Sequence, residues 1–214
     1  MSHVSKSDKG HPGSAAVDDA IARAHGASPF LQQLIAAHPD VVATARHDMT
    51  AAIDLAGQVG GGDIARKLRL MRARHMLAIA LADLSGAWPL ERLVAALSDF
   101  ADRALDMAIE EAVGGHVPGA PVRGLAVIAL GKHGSHELNY SSDIDPIFIY
   151  HPDTLPRRRL EEPAEAAVRI VRRVVDLLQT RNADGFVFRV DLRLRPASEA
   201  TPIALPVDAA IIHY

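Results

Sequence analysis

The chain changes texture at residues 114–124, GGHVPGAPVRG. Before this run, apolar residues return every three or four positions. After it come short β-branched runs separated by turn-forming residues. Glycine and proline at this density stop helices and strands alike, so the run divides a helical region from a small mixed unit. Helices first and a sheet afterwards describe an α+β fold rather than a repeating βαβ one. The expected organisation is a lead-in over 1–16, a helical region over 17–115 and a mixed-sheet core over 116–214.

The helical region carries its own punctuation. Ser28-Pro29 reads as an N-cap followed by proline at the first helical position. Phe30, Leu31, Leu34 and Ile35 then recur at helical spacing until His38-Pro39. A second helix is expected over 41–58, stopped by Gly60, Gly61 and Gly62. Asp63 is the expected N-cap of a third, closed by Gly86. Ile64, Leu68, Met71, His75, Ala78 and Leu81 form its apolar stripe, while Arg66, Lys67, Arg69, Arg72 and Arg74 read as a solvated face. A fourth helix, 89–112, is expected to fade into Gly114-Gly115. Almost half of all residues are apolar and only 4% aromatic, so Ala, Leu, Val and Ile do the packing.

Chemistry concentrates in the second region. The apolar run 124–130 is a strand candidate, followed at once by GKHGSHELNYSSDID over 131–145. A second strand is expected over 143–150, a helix over 161–181 and a third strand over 186–194. Side chains alternate along a strand, so Asp143 and Asp145 point one way and Ile144 the other. Two carboxylates that close repel unless a cation lies between them, and oxygen ligands suit Mg²⁺. On the third strand Arg189, Asp191, Arg193 and Arg195 share a face, with Val190, Leu192 and Leu194 toward the core. Pairing that strand beside the first would bring Asp191 to the other two acids. Such a cluster can hold two cations against a nucleotide's phosphates, with arginines offsetting the phosphate charge.

Gly131 and Gly134 let the backbone turn sharply and approach a phosphate, with the next helical turn's amides facing it. Gly134, Ser135, Ser142, Arg193 and Arg195 are the candidates for phosphate or nucleotide contact. His133 and His136 bracket the turn, but Mg²⁺ prefers oxygen. Pro146 lacks a backbone donor and belongs at a strand start or edge.

Other classes recede. Net charge is −3, which offers no global attraction to nucleic acid or an anionic membrane. Cysteine is absent, which removes disulfides and thiolate chemistry. No apolar run reaches the roughly 20 residues that span a bilayer. The polar opening lacks a signal peptide's apolar stretch, so a cytoplasmic location is expected.

The segments GLAVIALGKHGSHELNYSSDIDPIFIY, GFVFRVDLRLRP, SPFLQQLIAAHPD and KLRLMRARHMLAIALADLSG together resemble the bacterial glutamine synthetase adenylyltransferase/adenylyl-removing family. The resemblance covers nearly the whole chain after residue 17. It implies a polymerase-β-like nucleotidyltransferase domain, with Asp143, Asp145 and Asp191 as metal ligands and Gly134-Ser135 as the phosphate-binding turn. It also implies glutamine synthetase as substrate, the PII signalling protein as partner, and ATP, ADP and inorganic phosphate as small molecules. The opening resembles the family's N-terminal, adenylyl-removing unit, and the close at Tyr214 reads as a truncated or split product. Adding and removing AMP would use the same acids, so the motifs leave direction open. A non-catalytic module docking on glutamine synthetase or PII, or a transferase for small molecules, is the alternative.

Overall fold

The structure is a computed structural model that describes residues 13–195 and 201–213. Residues 1–12 of the expected lead-in fall outside that range, and Ser14 already opens the first helix, α1 (Ser14–Ala27). The chain forms two compact units. One takes in the chain to Gln58 with Ala73–Leu93; the other comprises Val59–Arg72 with Val94–Tyr214.

The first unit is helical. Ser28 starts α2 (Pro29–Ala37) by accepting the Leu31 N–H at 3.2 Å, with Pro29 at the first helical position as the sequence predicts. The expected helix over 41–58 is instead two, α3 (Pro39–Ala45) and α4 (Met49–Ala56). Asp48 is the reason. Its carboxylate accepts the N–H groups of Thr50 and Ala51 at 2.8 and 3.0 Å, an N-cap that competes with helix continuation. Val17, Ala20 and Ala24 of α1 are buried, as are Val41, Val42, Ala45, Met49, Ala52 and Ala56 of the two short helices. The small residues allow short helices to pack closely.

Two longer helices contribute to both units. Asp63 caps α5 (Ile64–Leu84) through the Arg66 N–H at 2.8 Å, and the helix closes before Gly86 as expected. From Met76 to Ala82 every residue of α5 is buried, which marks an interior helix rather than an amphipathic one. The other, α6 (Leu90–His116), runs through Gly114 and Gly115 where fading was expected. Tertiary contacts hold its end. His116 Nε2 lies 2.7 Å from Glu161 Oε2, and Arg158 Nε donates to the His116 carbonyl at 3.2 Å. Burial alone would raise the Glu161 pKa, but the Arg158 N–H and His116 outweigh it and hold the carboxyl below its usual range.

The second unit is built on a three-stranded mixed sheet of order β1–β2–β3, which makes the chain an α+β protein. Strand β1 (Leu125–Leu130) runs antiparallel to β2 (Asp145–Tyr150), with Leu130 opposite Asp145 and Leu125 opposite Tyr150. Strand β3 (Ala204–Pro206) pairs in parallel with Phe148–Tyr150. Between β1 and β2 lies the single turn α7 (Gly131–Gly134); α8 (Pro163–Gln179) and α9 (Val207–His213) complete the unit. Helix α8 buries Ala166, Ala167, Ile170, Val171, Val174, Leu177 and Leu178, a stripe at helical spacing.

The third strand expected over 186–194 does not form. Only Val190 bridges to Ile144, beside β2 rather than β1. The amides of Val187 and Phe188 donate to the Leu178 carbonyl of α8 at 2.8 and 2.9 Å, so they are unavailable to a ladder. Further on, the Arg193 amide turns back onto the Asp191 carboxylate. The expected inward face is only partly realised: Val190 and Leu192 are half-buried and Leu194 is 51% exposed. Phe188 is buried instead, its ring centroid 5.6 Å from that of Phe100.

Pro146 fits its place. Ile144 donates to the Arg189 carbonyl and accepts from the Asp191 amide, so its backbone groups face the 189–191 segment. Groups two residues apart face the same way, and Pro146 therefore points its missing donor into the gap before the β3 ladder begins at Phe148.

Candidate active site

The site grows from the β1–α7–β2 connection. Gly131 has a φ of +57°, and a Cβ there would stand 2.6 Å from Asp145 Oδ2. A glycine is needed both for the left-handed turn and for the carboxylate lying against its backbone. At Gly134 the conformation is ordinary, but a Cβ would stand 2.4 Å from the Ala129 carbonyl oxygen. Ser135 follows with its amide donating to Gly131 O at 3.1 Å and its hydroxyl 3.3 Å from both Lys132 O and Glu137 Oε2. The Ser135 amide thus closes the turn rather than facing an anion.

Asn139 shapes the return loop. Its side-chain oxygen accepts the Ser141 amide, and its own amide donates to Ser142 Oγ, each at 3.0 Å. That loop delivers Asp143, whose carboxylate accepts from Arg189 Nε, while Arg189 Nη2 donates to the Ser141 carbonyl at 2.6 Å. Ile144 is fully buried, and the acids on either side of it stay in contact with solvent.

Asp191 arrives by the bridge at Ile144, its amide donating to Ile144 O at 2.9 Å. Arg193 binds its carboxylate through Nε, 2.9 Å from each oxygen, and through Nη2. Arg195 turns elsewhere, to the carbonyls of Leu192 and Thr201. Asp191 is held below the usual carboxylate range by Arg193. Asp145 is raised above it, first by burial and then by the charges of Asp191 and Asp143, with His133 and Arg193 opposing.

Three carboxylates therefore lie within electrostatic reach of one another, and Asp145 carries the repulsion. Among the described residues no three His, Cys, Asp or Glu side chains converge as a ready-made metal site. Asp143 and Asp191 instead lean on arginines. The donor set still suits a hard cation: all oxygen, uniformly anionic, with one acid destabilised by its neighbours.

Two partnerships had no sequence signal beyond residue type. His133 is buried with Nε2 2.7 Å from Asp102 Oδ1, and its Nδ1 has no hydrogen-bond partner among the described residues. His136 lies on the surface, 3.2 Å from Asp99.

Fold and site together define an α+β protein with an acidic cluster at the mouth of a small mixed sheet. The family described as glutamate-ammonia ligase adenylyltransferase matches residues 13–214. Three curated relatives are each called bifunctional glutamine synthetase adenylyltransferase/adenylyl-removing enzyme. The Caulobacter vibrioides protein is 44% identical over 70% of this chain and 16% of its own length. The Xanthobacter autotrophicus protein is 40% identical over 87% of this chain and 21% of its own, and the Rhizobium meliloti protein 34% over 94% and 23%. The chain belongs to the glutamate-ammonia ligase adenylyltransferase family. It spans between 16% and 23% of the length of these relatives. Among the described residues no helix is long and apolar enough to cross a membrane.

Proposed function

We propose that this chain is a nucleotidyl-transfer unit acting on glutamine synthetase, working chiefly to remove AMP from an adenylylated tyrosine. The observation that supports the reading is the Ile144–Val190 bridge, which sets the Asp191 backbone beside the Asp143–Asp145 stretch, with Arg189 on Asp143 and Arg193 on Asp191. The relatives' names support the substrate, and the resemblance of SPFLQQLIAAHPD to the family's N-terminal region supports the direction. The family resemblance as a whole supports the PII signalling protein as a partner, and the polar opening supports a cytoplasmic location.

Asp143, Asp145 and Asp191 would hold divalent cations, taken as Mg²⁺. Bound there, the cations would offset phosphate charge and lower the pKa of the attacking oxygen. The protein's own part is positioning. Arg189 and Arg193, which neutralise Asp143 and Asp191 in the free chain, turn to the phosphate oxygens when those acids gain cations. Gly131 keeps the Asp145 carboxylate close to the turn, and Gly134 keeps that turn tight on β1. Ser142 and the α7 turn line the approach of the phosphates. An oxygen of inorganic phosphate attacks the AMP phosphorus and the phosphorus–tyrosine oxygen bond breaks. ADP leaves, and the phosphate's proton ends on the tyrosine oxygen.

The test is ADP release from adenylylated glutamine synthetase with phosphate and Mg²⁺, beside AMP transfer from ATP to the unmodified enzyme. Asp143→Asn should lower turnover by roughly 10³-fold, the scale for losing a preorganised charge in a transfer site. Unchanged turnover in that variant would defeat the proposal. A chain that binds glutamine synthetase or PII stably but turns over neither substrate would instead be a docking module.

A further inference from the structure

Strand β1 is an edge of the sheet among the described residues. The His151 amide donates to the Gly124 carbonyl at 2.9 Å, so Gly124 and His151 form a hydrogen-bonded pair. Such pairs alternate along an antiparallel ladder. Ala126 and Ile128 therefore bond to β2, while Leu125, Val127 and Ala129 turn their N–H and C=O groups outward. The α7 turn closes one end of this edge, where Gly134 packs on the Ala129 carbonyl. Leu125 and Val127 stay open, with no partner on that side among the described residues.

The open stretch lines a groove of about 510 Å³ whose opposite wall is α6. Asp102, Asp106 and Glu110 stand on that wall four residues apart, which places them on one helix face. Leu105 and Ile109, both buried, supply an apolar floor. No lysine or arginine lines the groove among the described residues. Asp102 is met by His133 at 2.7 Å, whereas Asp106 and Glu110 are exposed and meet no base among the described residues. The two walls also keep step. Four residues of helix rise about 6 Å and two residues of strand about 6.6 Å, so each acid on α6 matches an alternate position of an added strand.

An extended segment lying here would make two kinds of contact at once. Its backbone would pair with Leu125 and Val127 and so extend the sheet. Every second side chain would cross the apolar floor and end at a carboxylate. Lysine and arginine suit that path, with an apolar stem and a cationic tip. A second copy of this chain suits it badly, because antiparallel pairing of two β1 edges would bring two acidic stripes together.

We infer that the β1 edge and the acidic stripe of α6 form a docking groove for an extended, basic segment of a partner protein, bound by strand addition. Charge complementarity selects the occupant, and the free edge selects its conformation. The inference goes beyond the nucleotidyl-transfer reading and does not rest on it.

The experiment titrates capped synthetic peptides into the 214-residue chain by calorimetry at low salt. One peptide alternates threonine with lysine, a second carries the same residues with the lysines in one block, and a third is the first N-methylated on every amide. The alternating peptide should bind, and the other two should bind about tenfold more weakly or worse. In the protein, the double variant Asp106→Asn, Glu110→Gln should weaken the alternating peptide about tenfold while its melting temperature holds or rises, since two like charges one turn apart are removed. Val127→Pro deletes an outward N–H and spares the β1–β2 ladder, so it should weaken binding similarly. If that variant fails to fold, the N-methylated peptide makes the same test without touching the protein. Asp143→Asn should leave peptide binding unaltered. Equal binding of all three peptides would reduce the effect to charge attraction and overturn the groove, as would no binding of any. A loss confined to Asp143→Asn would place the peptide on the other acids, and a concentration-dependent dimer broken by Val127→Pro would give the edge to a second copy; either result overturns the inference.

Discussion

In the helical unit acids lie on bases: Asp18 meets Arg46 at 2.8 Å, Asp19 meets Arg23 at 2.9 Å, and Asp40 takes both terminal nitrogens of Arg74 at 3.2 and 2.7 Å. In the sheet-bearing unit acids also meet bases, Asp143 with Arg189 and Asp191 with Arg193, but like charges gather as well. Asp145 is raised first by burial and then by Asp191 and Asp143, and the charged form of Arg72 is disfavoured first by burial and then by Arg189. Exposed ion pairs contribute little, so the first arrangement is a surface that merely avoids conflict. The second works against the fold. Like charges brought together cost stability, and such clusters persist where a ligand of the opposite sign completes them. On the reading proposed above, cations would complete the acids of this unit.

Four changes test that contrast, beginning with the largest. Leu77→Ala, in the fully buried stretch of α5, should lower stability by about 3 kcal/mol in denaturant unfolding. Mg²⁺-dependent ADP binding should survive it at permissive temperature; its loss would show that the two units do not divide the work. Gly131→Ala should cost about 1–2 kcal/mol for the left-handed backbone and should also push the Asp145 carboxylate aside. Turnover should fall much further than stability does, and a parallel fall would deny Asp145 its special position. Asp48→Ala removes the cap that splits α3 from α4 and should cost about 1 kcal/mol, with transfer activity unchanged.

Asp145→Asn carries the smallest stability effect, with the opposite sign. A carboxyl whose folded pKa is raised above its unfolded value contributes stability below the unfolded pKa and loses it as pH rises through the folded one. At neutral pH and without divalent cations, the asparagine variant should be more stable by about 0.5 kcal/mol. The advantage should vanish in acid, where the wild-type carboxyl is protonated. Adding Mg²⁺ should stabilise the wild type and leave the variant unmoved. A variant less stable at neutral pH in the absence of cations would contradict the repulsion.

Local signals were legible wherever one short stretch carried the whole instruction. Ser28-Pro29 and Asp63 start helices through bonds within one turn, and Ile144 turns inward between two solvent-contacting acids at the entry to β2. Asp48 is equally local, but a cap in the middle of a helical pattern looks like a polar surface residue. The arginines of α5 could not be read this way. Their spacing gives a face but not what covers it, and Phe186 and Phe188 lie more than a hundred residues further along.

The amino-acid order by itself determined the helical first region, the β1–turn–β2 connection and the acids at its mouth, because capping, turn chemistry and side-chain alternation act within a few residues. Tertiary structure decided how residues 186–194 are used. Their alternation suits a strand, yet the Leu178 carbonyl takes the Val187 and Phe188 amides, and Arg193 folds back on Asp191. It also placed the third strand at Ala204–Pro206 and set Arg72 over Phe186 and Phe188. Partners far apart in the chain compete for the same donors and the same buried surface, and that competition is settled only when the whole unit packs.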